Sequence, residues 1–191
     1  MHRTIGAYTL RDWRPEDAPS LARYADNRKI WRHLRDAFPH PYRLEDAKAF
    51  ISRATEPAPA TAFAVATRDE AIGGIGLVPG TDVHRRTAEI GYWLAEPFWG
   101  KGIMTLAVRS LTDYAMEDLG MLRVFALPYT TNPASARVLE KAGFVREGIL
   151  RANALKDGRV LDQFVYACVA VANRLPQDPP GTVCRPGAGA P

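Results

Sequence analysis

AEIGYWLAEPFWGKGIMT, residues 88–105, passes from a strand-like run through a glycine turn straight into an amphipathic helix. Ala88 to Leu94 alternates, with Ile90, Tyr92 and Leu94 on one face and Glu89, Gly91 and Trp93 on the other, and Pro97 ends the run. In Trp99-Gly100-Lys101-Gly102 two of four residues lack a side chain, so the backbone can approach a ligand closely and turn several N–H groups into one concavity. The helix that begins near Ile103 adds its free N-terminal amides and the positive end of its dipole. The stretch therefore reads as an anion-binding junction suited to a phosphate. It is not a nucleoside-triphosphatase loop, because Ala95 stands where that loop needs its first glycine and Gly102 where it needs Ser or Thr. Nor is it a dinucleotide fingerprint, since the third glycine and a ribose-binding acid are missing.

The junction sits in a chain of 191 residues, 47% of them hydrophobic, long enough to bury one substantial core. No run approaches the roughly 18 apolar residues of a membrane span, and no basic segment with an apolar sequel opens the chain. A soluble, cytoplasmic protein with no membrane partner is the expectation. Cys168 and Cys184 offer neither a disulfide framework nor metal spacing, and His2, His33, His40 and His84 are scattered, so no metal is expected. The formal charge of +4 suits a polyanionic ligand without selecting one, and only residues 27–43 hint at the basic, aromatic face that nucleic acid would need. Residues 1–175 are expected to form one domain. Residues 176–191, with five prolines and three glycines, read as a disordered tail.

Taken in order, Ala7 to Trp13 predicts a strand, and Pro15-Glu16-Asp17 opens a helix that runs through Leu21 and Tyr24. A second helix is expected from Leu44 to Arg53, and between the two lies a segment, Asn27 to Arg43, rich in Arg and aromatics. Thr61 to Thr67 and Ala71 to Val78 read as a strand pair around Arg68-Asp69-Glu70; the strand at Ala88 then completes an antiparallel meander. The helix from Ile103 carries Ala107, Leu111, Ala115 and Leu119 at four-residue spacing, with Gly120 as its stop. Leu122 to Leu127 is the next strand. Asn132 is a suitable N-cap and Pro133 a suitable first residue for a short helix ending at Ala142, with Gly143 able to adopt a left-handed conformation. Arg146 to Asn153 and Val160 to Val171 form the last two strands, joined near Asp157-Gly158.

Two motifs at this separation resemble a known family. Residues 99–104 match the pyrophosphate loop Q/R-x-x-G-x-G/A of the GNAT acetyl-CoA-dependent N-acetyltransferases, with Trp99 at the Q/R position and Met104 at the final small position. The second motif, NPASARVLEKAGF, supplies Asn132, Ser135, Lys141, Gly143 and Phe144 in the family's spacing. Trp-Gly-Lys-Gly at this point is similar to the RimJ/RimL-like branch, which acetylates the N-terminal amine of ribosomal proteins. The resemblance covers residues 8–172 and implies a single α/β domain with a central, mostly antiparallel mixed sheet flanked by helices. It implies acetyl-CoA as donor and a primary amine as acceptor, most closely a protein N-terminal α-amine, in a direct transfer within a ternary complex. A small-molecule amine as acceptor, or a catalytically inactive CoA-binding sensor or scaffold, are the alternatives. Monomer and homodimer are both open.

Site residues follow from the same resemblance. Glu89 is the expected general base, on the strand where the family often places it, with a water relay as the alternative. The family's tyrosine acid falls on Leu139 and is missing; the ribosomal-protein branch presents a serine instead, which matches Ser135. Tyr129 is a further hydroxyl near the same strand end. Amides of Trp99, Gly100, Lys101, Gly102, Ile103, Met104 and Thr105 are expected to hold the pyrophosphate. Met104, larger than the family's residue, must then point away from the cofactor, or the loop binds it less tightly. Trp93 and Leu94 are expected to pair with the pantetheine arm as an added strand would. Asn132 can reach the same arm, and Lys101, Arg137 and Lys141 are candidates for the 3′-phosphate. Trp31, Phe38 and Tyr42 are candidates for acceptor contact, with packing as the equal alternative.

Overall fold

The computed structural model describes residues 2–57 and 59–170. The strands are β1 (His2–Ile5), β2 (Tyr8–Asp12), β3 (Ala62–Ala66), β4 (Ala71–Pro79), β5 (Thr87–Leu94), β6 (Arg123–Ala126), β7 (Val145–Lys156) and β8 (Arg159–Val169). The helices are α1 (Ala18–Ala25), α2 (Arg28–Trp31), α3 (Leu44–Thr55), α4 (Ile103–Glu117) and α5 (Pro133–Lys141). The strands form one sheet in the order β1-β2-β3-β4-β5-β6-β8-β7. Every neighbouring pair is antiparallel except β5 and β6. That exception has a simple cause: α4 carries the chain back to the end where β5 began, and a crossover of this kind makes the next strand parallel.

The sheet is covered on both faces. Ile103, Met104, Ala107, Val108, Leu111 and Ala115 of α4, with Ala136 and Leu139 of α5, pack against Leu10, Val65, Ile72, Ile90 and Val124. On the other face α1 and α3 bury Leu21, Ala25, Ala47 and Ile51 around Trp13, Tyr42, Ala64 and Ala71. This is the layered arrangement in which each amphipathic helix hides its apolar stripe on the sheet. At the entry to α1, Arg11 donates two 2.7 Å bonds to Asp17, both side chains almost fully buried, tying β2 to the turn before the helix.

The expected elements are present, with two additions. β1, a four-residue edge strand, and α2, a single turn capped by the Asn27 side chain at Lys29 N–H, were not anticipated. Both are too short for periodicity to register. Cys168 is buried in β8. Cys184 and the expected tail lie outside the described residues.

What positions the site is the way β5 leaves β6. The two strands pair only at Thr87–Arg123, Ala88–Val124 and Glu89–Phe125, after which β5 runs on to Leu94 alongside β4 alone. The chain after β6 is drawn the other way. Phe164 N–H donates to the Pro128 carbonyl at 3.0 Å, Thr130 N–H to the Asp162 carbonyl at 3.0 Å, and the Gln163 amide to the Leu127 carbonyl at 2.6 Å. With residues 127–130 committed to β8, the far half of β5 presents an unpaired edge to a wedge-shaped gap.

Candidate functional site

The gap begins at Glu89, the last β5 residue opposite β6. Strand alternation then puts Glu89, Gly91 and Trp93 on the face covered by α1 and α3, and Tyr92 on the face covered by α4 and α5. The centre of the first face is open: a Cβ built on Gly91 meets no atom within 4 Å. The opposite face carries a hydroxyl pair. Tyr92 Oη lies 2.8 Å from Ser135 Oγ, on the first turn of α5. Burial pushes the Tyr92 phenol well up, further than the Ser135 hydrogen bond lowers it, so it stays protonated and able to donate. Glu89 and Ser135 are thus not neighbours; they stand on opposite faces of one strand where it borders the gap.

Local sequence explains Ser135. Asn132 caps α5 by accepting the Ser135 N–H on its Oδ1 at 3.2 Å, Pro133 follows as the first helical residue, and the serine side chain is thereby aimed at β5. The position of the family's missing tyrosine, Leu139, is fully buried in the core. A phenol not anticipated from the sequence, that of Tyr92, stands instead beside the Ser135 hydroxyl.

At the far end of β5 the chain turns through 95–102 into α4. Gly100 and Gly102 have φ of +76° and +74°, the left-handed region that glycine alone enters without cost, and nothing lies within 4 Å of a Cβ at either. Among the described residues the N–H groups of Ile103, Met104 and Thr105 have no backbone acceptor; the first bond into the helix is Leu106 N–H to the Gly102 carbonyl at 3.2 Å. Three free amides and a helix N-terminus therefore face open space above two glycines. Met104 is buried in the core, as its size required, and Ile103 with it, so both offer only backbone. Trp99 is 44% exposed, and its indole Nε1 donates to the Leu94 carbonyl at 2.6 Å. That bond takes one of the groups expected to pair with an extended ligand, and narrows such pairing to the β5 residues before Leu94. Lys101, Arg137 and Lys141 are exposed. The open glycines, the free amides and the unpaired strand edge fit a long ligand with a diphosphate at one end.

The other wall of the opening is a strap, residues 27–43, held by ion pairs. At its start Glu96 accepts from Lys29 and from Asn27 Nδ2 at 2.9 Å, contacts that hold its carboxyl below the usual carboxylate range. Arg28 meets Asp157 at 2.8 Å in the β7–β8 turn. Lys156, with only 2% of its side chain exposed, donates to Asp36 at 2.7 Å and sits 3.7 Å from the centre of the Trp31 ring. Arg35 reaches Glu89. Tyr129, buried beneath, has its phenol pushed up by burial and then by Asp36. The three aromatic candidates for acceptor contact are occupied in packing: Trp31 against His40 and Lys156, Phe38 against Tyr42 and Trp93, and Tyr42 buried behind them. Arg35, Asp36 and Lys156 escaped sequence reasoning because their partners lie 54 to 120 residues away.

Comparison with known proteins agrees with this geometry. Residues 8–145 match the acetyltransferase (GNAT) domain. An uncharacterized N-acetyltransferase, p20 of Bacillus licheniformis, is 30% identical over 162 residues, 83% of this chain and 90% of that protein. The ribosomal-protein-serine acetyltransferase of Escherichia coli is 37% identical over 90 residues, which span 47% of this chain and 49% of that enzyme. Mycobacterium smegmatis RimJ, solved in complex with CoA-disulfide, superposes with a TM-score of 0.78 at 26% identity, covering 92% of this chain and 88% of that one. The chain belongs to the GNAT acetyltransferase family, and the expected single α/β fold with a mostly antiparallel mixed sheet is the one observed.

Proposed function

We propose that this N-acetyltransferase carries acetyl from acetyl-CoA directly to the α-amine of a protein N-terminus, with the amine and the donor held together on β5. The observation that carries this reading is the placement of Glu89 and of the Tyr92–Ser135 pair on opposite faces of β5 at the gap, with the free amides of 103–105 beyond the end of the same strand. Acetyl-CoA supplies an activated acyl group and a thiolate that leaves. The residues of the chain do the rest. Glu89 accepts a proton from the incoming ammonium, so that a neutral amine reaches the acyl carbon. The Tyr92 hydroxyl, kept protonated by burial and joined to Ser135, donates towards the departing sulfur. The amides of 100–105 receive the diphosphate, and the open face over Gly91 leaves room beside the strand. Similarity to a ribosomal-protein-serine acetyltransferase supports a polypeptide acceptor. An inactive CoA sensor is disfavoured, because both features that suggested it have structural answers: Met104 is buried, and Tyr92 provides a hydroxyl that Leu139 cannot.

The test is a panel of peptides with free N-termini and small amines, followed by CoA release and by mass mapping of the acetylated atom. Nα-acetylated peptide, with intersecting double-reciprocal lines for the two substrates, is the expected result. Parallel lines would rule out direct transfer, and turnover of small amines alone would replace the acceptor.

A further inference from the structure

The base proposed for the amine is not free: Arg35 lies against Glu89, Nη2 to Oε2 at 2.5 Å. The two ends of this pair differ. Glu89 has 21% of its side chain exposed and Arg35 has 64%, so an incoming cation meets the guanidinium first. Residue 35 cannot retreat far when it lets go, because Asp36 beside it is fastened to the buried Lys156, and Arg28 is fastened to Asp157. The guanidinium can only swing, staying within a side chain's length of the amine. Of the charges around the opening, Lys156 has Asp36, Arg28 has Asp157 and Lys29 has Glu96; among the described residues Arg35 has Glu89 as its one anionic partner. Tyr129, with its phenol pushed up, remains neutral and offers it no charge.

From this arrangement we infer that Arg35 selects acceptors that carry a carboxylate close to the reacting amine. Binding is an exchange of ion pairs: the acceptor ammonium takes the guanidinium's place on Glu89, and the released guanidinium takes the acceptor's carboxylate. No charge is left unpaired in the exchange. An amine without a nearby anion displaces Arg35 and leaves it without a partner, so it binds more weakly. For a polypeptide, the anion belongs to an Asp or Glu within the first few residues.

This rests on Glu89 meeting the acceptor amine, and the experiment separates the two ideas. Paired acceptors are compared by kcat and KM: peptides differing only by Glu or Gln at the second or third position, and small amines with and without a carboxylate. The native enzyme should favour the acidic member of each pair about tenfold, the worth of one charge-assisted hydrogen bond, and chiefly through KM. Arg35→Gln should abolish the preference and Arg35→Lys should keep most of it, which a merely structural role would not produce. Equal use of Glu and Gln acceptors, or a preference that survives Arg35→Gln, overturns the inference. If only small amines are turned over, the polypeptide reading fails while Arg35 is still judged on the carboxylate pairs. If Glu89→Gln keeps full turnover, the base assignment fails, and with it the exchange.

Discussion

The two walls of the gap are made of different things. The wall proposed to hold the donor, residues 99–105 with the N-terminus of α4, is backbone: two glycines at positive φ and, among the described residues, three amides without backbone acceptors. The wall proposed to meet the acceptor, residues 27–43 against β5 and the β7–β8 turn, is side chains: Arg35 with Glu89, Lys156 with Asp36, Arg28 with Asp157. A backbone site binds what every relative using the same donor must bind, and tolerates changes of side chain around it. A side-chain site can be re-specified one ion pair at a time. On the proposed reading, chemistry common to the family falls to one wall and selectivity to the other.

The largest effect should come from charging the backbone wall. Gly102→Asp sets a carboxylate where the amides converge and forces a β-carbon into φ +74°. Titration calorimetry with CoA should show affinity reduced at least about a hundredfold, roughly 3 kcal/mol. Gly102→Ala, which adds the strain without the charge, should lose much less. Equal losses for the two would mean that shape, not charge, makes the site, and the contrast between the walls would fail.

Next in size is the hydroxyl pair. Ser135→Ala and Tyr92→Phe should each lower kcat about a hundredfold, the lower end of what a positioned proton donor contributes. CoA affinity should stay within about twofold of the native value. If the hydroxyls act as one device, the double variant is no slower than the slower single variant. Multiplying losses would show two independent roles.

The acceptor wall should answer in stability and in KM together. Asp36→Asn strips the charge partner from a lysine whose side chain is 2% exposed, leaving its ammonium only the face of Trp31. The expected cost is about 1–3 kcal/mol, a few degrees in Tm, with a raised acceptor KM and an unchanged CoA affinity. Lys156→Met removes the buried charge altogether and should cost less than Asp36→Asn. The reverse order would show that the pair, and not its desolvated half, governs the strap.

The same contrast decides what could be read without coordinates. The glycine turn, the Asn132 cap, Pro133 and the α4 stripe are local, each explained by residues within a turn of one another, and each lies where its pattern placed it. The parting of β5 from β6 was not legible, since it follows from hydrogen bonds that Gln163, Phe164 and Asp162 make to the chain after β6. Nor was the meeting of Tyr92 with Ser135. Alternation put Tyr92 on the correct face, but only packing brings Ser135, 43 residues on, to its hydroxyl. Arg35 and Lys156 stand among many charged residues, and nothing near them in the chain marks them out.

The smallest effect compares two tyrosines buried on opposite faces of the sheet. Burial raises Tyr42 from an ordinary value near 10 to about 12, with Asp46 adding to the shift, and raises Tyr92 in the same direction. A phenol whose folded pKa lies above its unfolded value binds its proton more tightly in the native state. The stability this contributes is complete below pH 10 and is lost as the pH rises towards 12. At pH 10.5 the loss from Tyr42 should be under about 1 kcal/mol, seen as a Tm that begins to fall there. Tyr42→Phe should flatten that fall and leave turnover alone, since Tyr42 only packs behind Phe38. Tyr92→Phe should flatten it and also slow turnover, because the hydroxyl that burial protects is the one placed at the gap. Two residues of one type, buried for the same physical reason, are then told apart by whether the chemistry notices the loss of the oxygen; if Tyr42→Phe slows turnover as much, the division between the two faces is wrong.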